Sequence, residues 1–308
     1  MARCKVKGSA NGPKCEPRMT DTKFQKVRES TKRAGVMGWP VDHSLSPRVH
    51  GYWLKTYGID GRYDRLPVAP QDILTRLRAL EADGFVGCNV TVPHKQAALA
   101  GVDEAHPLAA RIGAVNTVVV RPDGSLYGFN TDGFGFIENL AQGHKGFTAA
   151  SGPAVVLGAG GAARAIVAAL LDAGAPEVRL LNRTIEHAEA LAVDLAGFGV
   201  GMLTVENWTS RADALAGAAL LVNTTTLGMQ GKPPLELDLS DLPGDALVND
   251  IVYAPLETPL LAQARLRGNP AVDGLGMLLH QARPGFEAWF GRSPEVTDDL
   301  RSYVLAGD

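Results

Sequence analysis

Cysteine is scarce in this chain. Three occur in 308 residues, Cys4, Cys15 and Cys88. An odd number without metal-site spacing argues against a disulfide framework and fits a reducing compartment. Aromatic residues make up only 6%, too few for the stacking platforms of single-strand nucleic-acid binders. Long apolar runs are missing as well. The longest apolar region, residues 153–175, contains Arg164, Asp172 and a glycine cluster. It therefore reads as a buried strand plus a helix, not a membrane span. His43, His50 and His94 lack a metal-ligand arrangement, and no metal is expected. No internal repeat or low-complexity tract is evident.

What remains is an ordinary globular composition, 45% hydrophobic and 20% charged. The length accommodates two domains. Charge is uneven: residues 1–33 hold ten Lys/Arg and three Asp/Glu, a balance of +7, so the rest carries −10 of the formal −3. The basic stretch has neither helical periodicity nor the apolar core of a signal peptide. Residues 1–33 read as a disordered extension, with Met19 an alternative start. The competing reading, a nucleic-acid-binding tail, predicts salt-dependent binding lost on truncation.

From Gly35 the pattern alternates. "AGVMGWP" is a strand, and "SPRVHGYWLKTYG" a helix with Ser46 as N-cap and Pro47 as first helical residue. "GRYDRLPV" is a strand, "APQDILTRLRALEADG" a helix closed by Gly84, and "GFVGCNVTVP" a strand. Two β runs follow around the turn Pro122-Asp123-Gly124. A second series opens at Ala154: "AVVLGAG", "EVRLLNRT", "ALLVNTTT" and "ALVNDIVY" as strands, with helices between and after them. Such alternation predicts an α/β protein with mainly parallel sheets covered by helices. The expected divisions are a substrate domain over residues 34–132, a Rossmann-type nucleotide-binding domain over 133–272, and helices over 273–308 that return to the first domain. The active site is expected in the interdomain cleft.

"VVLGAGGAAR" sets Gly158, Gly160 and Ala163 in the G-x-G-x-x-G/A spacing, after a strand and opening a helix. The first glycine permits a tight turn, the second lets a pyrophosphate approach the backbone, and the small third residue packs helix on strand. The next strand ends in "LLNRT". Asn182 and Arg183 stand where an NAD site usually carries a carboxylate. Arg183 can pair with a 2′-phosphate that an acid would repel, so the pattern favours NADP. A solvated surface arginine is the alternative.

"NVTVPHK" places Asn89 and Thr91 on one strand face and Val90 and Val92 on the other. Lys95 follows the carboxyl end, where open α/β sheets bind ligands. It reads either as an acid–base group or as a helix-start lysine. "GFNTDGFGF" offers Asn130, Thr131 and Asp132, readable as a turn or as a carboxylate partner for Lys95. Ser44 and Ser46 of "HSLSP" read as helix-start residues or as carboxylate binders.

Together these segments resemble the shikimate dehydrogenase family. The resemblance runs from about Gly35 to the C-terminal helices. It rests on "HSLSP", "NVTVPHK", "GAVNTVV", "NTDGFGF", "GAGGAAR", "NRT", "NTTTLGM" and "DGLGMLLHQA", in that order. It implies reversible NADPH-dependent reduction of 3-dehydroshikimate to shikimate in aromatic amino-acid (chorismate) biosynthesis, in the cytoplasm. By the resemblance, Lys95 is the acid–base group and Asp132 its partner. Ser44 and Ser46 would bind the substrate carboxylate, and Thr91, Asn116 and Asp132 the ring hydroxyls, with Tyr253 and Gln281 completing the pocket. Gly158, Ala159, Gly160, Gly161 and Ala162 would hold the pyrophosphate, and Asn182, Arg183 and Thr184 the adenosine phosphate. Thr224, Ile251, Gly274 and Met277 would line the nicotinamide end. Two departures stand out. His187 replaces a second arginine frequent in NADP-dependent members, implying weaker selectivity. Gly51 follows His50 where the family usually has Asn. The implied partner is a small molecule, with neither nucleic acid nor membrane; a homodimer is one permitted assembly. Quinate/shikimate dehydrogenase and a non-catalytic NADP-binding sensor are the rival readings.

Overall fold

The computed structural model describes residues 31–307. The expectations for residues 1–30 lie outside them. The described chain forms two six-stranded sheets. The first contains β1 (Lys32–Gly38), β2 (Gly61–Pro67), β3 (Phe85–Val90), β4 (Glu104–Ala105), β5 (Thr117–Val120) and β6 (Leu126–Phe129). The second contains β7 (Ala154–Leu157), β8 (Glu177–Asn182), β9 (Met202–Asn207), β10 (Leu220–Asn223), β11 (Leu247–Asp250) and β12 (Ala271–Val272). The helices, in order, are α1 (Ser46–Thr56), α2 (Ile73–Arg78), α3 (Lys95–Gly101), α4 (Pro107–Ile112), α5 (Asp132–Gly143), α6 (Gly161–Asp172), α7 (Ile185–Asp194), α8 (Pro259–Arg267), α9 (Leu275–Phe290) and α10 (Asp298–Leu305).

The first sheet runs β2-β1-β3-β5-β6-β4. β1 pairs in parallel with β2 and β3, while β5 is antiparallel to both β3 and β6. The β5–β6 hairpin follows from its turn chemistry. Asp123 accepts from the backbone and hydroxyl of Ser125, and Gly124 takes a positive φ. The second sheet is parallel throughout, in the order β12-β11-β10-β7-β8-β9. Numbered from β7, this is the 3-2-1-4-5-6 order of the Rossmann fold, with its switch point between β7 and β10. β7, β10 and β11 are buried on both faces, which explains their near-continuous Val/Leu sequences. Helices cover both faces of each sheet. α9 returns to the first sheet, where Leu279, Phe286 and Trp289 share a core with Val36, Val49 and Trp53.

Several local expectations are corrected. β1 starts at Lys32, so Lys32 and Arg33 belong to the sheet; Arg33 lies over the Phe85 ring and bonds the Asp83 carbonyl. Leu45, not Ser46, is the N-cap of α1, because its carbonyl already accepts from Arg48 and Val49. The helix expected to reach Gly84 ends at Arg78 and continues as turns. β3 ends at Val90, one residue before Thr91. Of the two readings of "NTDGFGF", the turn does not form: Asp132 opens α5. α3, α4, β9 and β12 had no distinct periodic signal, being short or sparsely apolar.

Candidate active site

The site is built at the carboxyl end of β3 and at the starts of three helices. β3 ends, the chain turns through residues 91–94, and Lys95 opens α3. Asp132 is the first residue of α5, where the partial positive charge of the helix end favours a carboxylate. The Lys95 ammonium donates to Asp132 Oδ2 at 2.6 Å. Both side chains are largely buried, 16% and 6% exposed, so water screens the pair weakly.

A connected set of hydrogen bonds stands behind it. Asn116 Nδ2 donates to Asp132 Oδ1 at 2.9 Å, and Asn116 Oδ1 accepts from the Thr131 backbone at 2.9 Å and the Thr117 hydroxyl at 2.9 Å. Because Thr131 N–H can only donate, the orientation of the Asn116 amide is fixed. Asn89 Nδ2 donates to the Asn116 carbonyl and to Thr117 Oγ1, and Asn89 Oδ1 accepts from the Tyr63 hydroxyl at 2.6 Å. Tyr63 in turn lies beside Ser46 and is stacked on His50, ring centroids 3.9 Å apart. The Tyr63 phenol is pushed well above its usual pKa by burial, which outweighs the Ser46 contact. The Asn89 side chain is thus spent on a buried relay that orients Asn116.

Gln281 on α9 joins the cluster, its Oε1 3.4 Å from both Asn116 Nδ2 and Thr131 Oγ1. α9 approaches α5 at Gly135, where a methyl group would lie 2.6 Å from Gln281 Cβ. Ser44 Oγ accepts from the Ser46 backbone at 3.3 Å, so it satisfies one N–H at the start of α1, just outside the Leu45 N-cap. Thr91 makes no side-chain hydrogen bond among the described residues; its methyl lies against Gly38. Tyr253, after β11, packs on the core shared by the first sheet and α9, and burial raises its phenol pKa. His94 is buried and bonds the Val68 carbonyl, a structural role.

The second half of the site is the glycine turn. Gly158 has φ +106° and bonds the Leu181 carbonyl; a Cβ there would lie 2.7 Å from Thr224 Oγ1. Thr224 spends its hydroxyl on the Leu157 carbonyl at 2.7 Å. A Cβ on Gly160 would meet nothing within 4 Å, leaving open space before α6. Asn182 clamps the turn: Oδ1 accepts from Ala159 N–H at 3.2 Å, and Nδ2 donates to the Thr184 carbonyl at 2.7 Å. Arg183, Thr184 and His187 are exposed beside it, and the Arg183 guanidinium has no intramolecular partner among the described residues. Gly274 seats against the Ile251 backbone. Met277 is 8% exposed and lies mainly in the core of the second sheet. The two halves meet at Gly161, where a Cβ would sit 4.0 Å from Lys95 Cδ.

Sequence reasoning brought together Lys95, Asp132, Asn116 and Gln281, and the structure clusters them. It missed Thr117 and Tyr63, and it named Asn130 without assigning it a role. Asn130 accepts from Asp132 N–H and donates to the Ala114 carbonyl, fixing the start of α5. The Asn-x-Asp spacing was the available signal, since Asn side chains bond the backbone two residues on. Among the described residues, no group of His, Cys, Asp or Glu could hold a metal ion, and no helix is long and apolar enough to cross a membrane.

Comparison with known proteins gives the same pattern along the chain. The shikimate dehydrogenase substrate binding domain matches residues 36–118, the shikimate / quinate 5-dehydrogenase family residues 139–225, and the shikimate 5′-dehydrogenase C-terminal domain residues 274–299. The shikimate dehydrogenase (NADP(+)) of Paramagnetospirillum magneticum is 62% identical over 273 residues, covering 89% of this chain and 98% of that protein. Two solved structures are similar. Quinate dehydrogenase from Corynebacterium glutamicum, in complex with NAD, has a TM-score of 0.83 at 32% identity, covering 90% of this chain and 99% of that one. Shikimate 5-dehydrogenase from Thermus thermophilus, in complex with NADP(H) and shikimate, has a TM-score of 0.77 at 38% identity, covering 89% and 98%. With both halves and the closing helices matched, the chain belongs to the shikimate dehydrogenase family.

Proposed function

We propose that this enzyme reversibly reduces 3-dehydroshikimate to shikimate with NADPH, a step toward chorismate and the aromatic amino acids. The observation that carries the reading is the Lys95–Asp132 pair, held by Asn116 and lying against Gly161 of the glycine turn. A proton donor and a cofactor cradle thus share one cleft, as a ring alcohol oxidation requires.

The residues fit NADP. Gly158 to Ala162 form a turn with room for a pyrophosphate at the start of α6. The uncommitted Arg183 is available to a 2′-phosphate, with Thr184 and His187 beside it. When bound, NADP supplies or accepts the hydride. Lys95 donates a proton to the oxygen that gains charge during reduction, and Asp132 holds the ammonium and accepts from a ring hydroxyl. A positioned acid of this kind typically contributes ~10²–10⁴-fold. Asn116, Thr91 and Gln281 orient the ring, Ser44 and Ser46 bind its carboxylate, and Tyr253 closes the pocket. Thr224, Ile251, Gly274 and Met277 flank the nicotinamide end. A cytoplasmic location goes with this reading and is checked by fractionation; a homodimer is checked by sedimentation.

The test is a spectrophotometric assay with shikimate and quinate, each with NADP+ and NAD+. Turnover dominated by shikimate with NADP+ supports the proposal. Preference for quinate would redirect it to the quinate branch of the family, and no turnover with either would defeat it.

A further inference from the structure

Arg164 stands outside the site described above, yet it connects the two halves. It lies on α6, one turn beyond Gly160 and Gly161, and is only 9% exposed. Nη1 donates to the Ile112 carbonyl at 3.1 Å, and Nη2 donates to Asp194 Oδ2 at 2.6 Å. Ile112 is the last residue of α4, in the half of the chain that carries the first sheet. The last carbonyls of a helix have no intrahelical partner, so a guanidinium from elsewhere can satisfy one.

The held carbonyl sits at the head of a short segment that reaches the reacting groups. Two residues on, the Ala114 carbonyl accepts from Asn130, which fixes Asp132 N–H. Three residues on, Val115 N–H donates to the Lys95 carbonyl at 2.9 Å. Four residues on, Asn116 bonds the Asp132 carboxylate. The segment is also anchored apolarly: Ile112 and Ala114 are buried in one core with Ala163, Ile166 and Val167 of α6. A second arginine works in the opposite direction. Arg111 of α4 donates to the Gly197 carbonyl at 3.0 Å and lies 3.8 Å over the Phe198 ring, beyond α7. α5 rests on α6 as well, since a methyl group at Gly133 would lie 2.9 Å from the Ala165 carbonyl.

We propose that Arg164 is a positioning residue that sets the register between the glycine turn and the Lys95–Asp132 pair, through the Ile112 carbonyl. The inference rests on the dehydrogenase reading for its kinetic consequence but not for its structural part. On that reading each ligand takes most of its contacts from one half of the site, so losing the strut should leave separate binding largely intact. Transfer across the cleft depends on the relative placement of the halves, and a misplacement of ~1 Å can cost ~10²-fold.

The experiment uses the full chain with Arg164→Met, Arg164→Lys and Arg111→Met. The first arm is amide hydrogen exchange without ligand. Arg164→Met should speed exchange over residues 113–116 relative to β7 and β10, and unchanged exchange there would overturn the strut. The second arm is calorimetry and kinetics on wild type and variants. Arg164→Met should bind NADP+ alone and shikimate alone within about twofold of wild type, while kcat falls at least tenfold. Deuterium at the oxidised carbon of shikimate should then give a larger isotope effect on kcat. Arg164→Lys, which keeps one donor, should recover part of the loss. A loss of NADP+ binding equal to the loss of kcat would make Arg164 a cofactor ligand and defeat the proposal. Unchanged kcat in every Arg164 variant would defeat it too. If Arg164→Met does not fold, Arg111→Met gives the same reading from the other side of the clamp. Inactive wild type with normal exchange differences would indict the functional reading alone.

Discussion

Lys95 and Asp132 are 37 residues apart in sequence, and their side chains meet at 2.6 Å. Each opens a helix, so each is held by backbone it did not choose: α3 by the turn after β3, α5 by Asn130. Lys95→Ala should therefore lower kcat by ~10²–10⁴-fold while changing KM for shikimate far less, because a proton donor acts chiefly in the transition state. Steady-state kinetics decides. A variant with normal kcat and a raised KM would make Lys95 a binding residue.

Cofactor preference should depend on Arg183. Asn182 is occupied with Ala159 and Thr184, so the exposed guanidinium is the group left for a 2′-phosphate. A charge-assisted bond is worth about 1.5–3 kcal/mol, roughly ten- to a hundredfold in affinity. Arg183→Ala should lower the NADP/NAD ratio of kcat/KM by that factor through the NADP term, and His187→Arg should raise it. An unchanged ratio in Arg183→Ala would show that the phosphate is read elsewhere.

Stability should fall in acid through His50. The ring is fully buried, neither nitrogen has a hydrogen-bond partner among the described residues, and burial lowers its pKa from 6.5 to about 3, outweighing the nearby Asn89. The unfolded chain thus binds a proton between pH 6.5 and 3 that the folded chain refuses, and stability drops as pH falls through that window. At pH 5 the cost is about 2 kcal/mol. His50→Phe, which can keep the stack on Tyr63, should flatten the dependence of Tm on pH between about 7.5 and 5. An equal slope in the variant would assign the acid sensitivity to other groups, His280 first, whose pKa burial lowers to about 4.

Gly135→Ala should act on Gln281. The added methyl would press within 2.6 Å of Gln281 Cβ and 2.7 Å of its backbone nitrogen, so α5 and α9 must separate. Overpacking of this kind costs ~1–3 kcal/mol. The expected result is a lower Tm together with a higher KM for shikimate. A lower Tm with unchanged KM would mean that Gln281 does not touch the substrate.

Periodicity and turn chemistry alone determined the two α/β layers, the glycine turn opening α6, and an arginine in place of the ribose-binding acid. These are local properties: side-chain alternation records burial on a sheet or helix, and a glycine spacing records a backbone shape. Pairing is different. Asn116 and Gln281 approach across 165 residues, and Arg164 reaches Ile112 across 52. Nothing in a neighbouring residue encodes such a distance; it follows from which helix packs on which sheet. Asn89 is the clearest instance. Alternation correctly set it apart from Val90 and Val92, but only the position of Tyr63 on β2 and Thr117 on β5 decided that its amide turns inward. Ser46 is another, since the residue that caps α1 depends on where the chain enters from β1. The sequence specified which residues carry polar groups, and tertiary packing decided which of those groups a ligand can reach, because a buried amide is claimed first by the partners that packing places within about 3 Å.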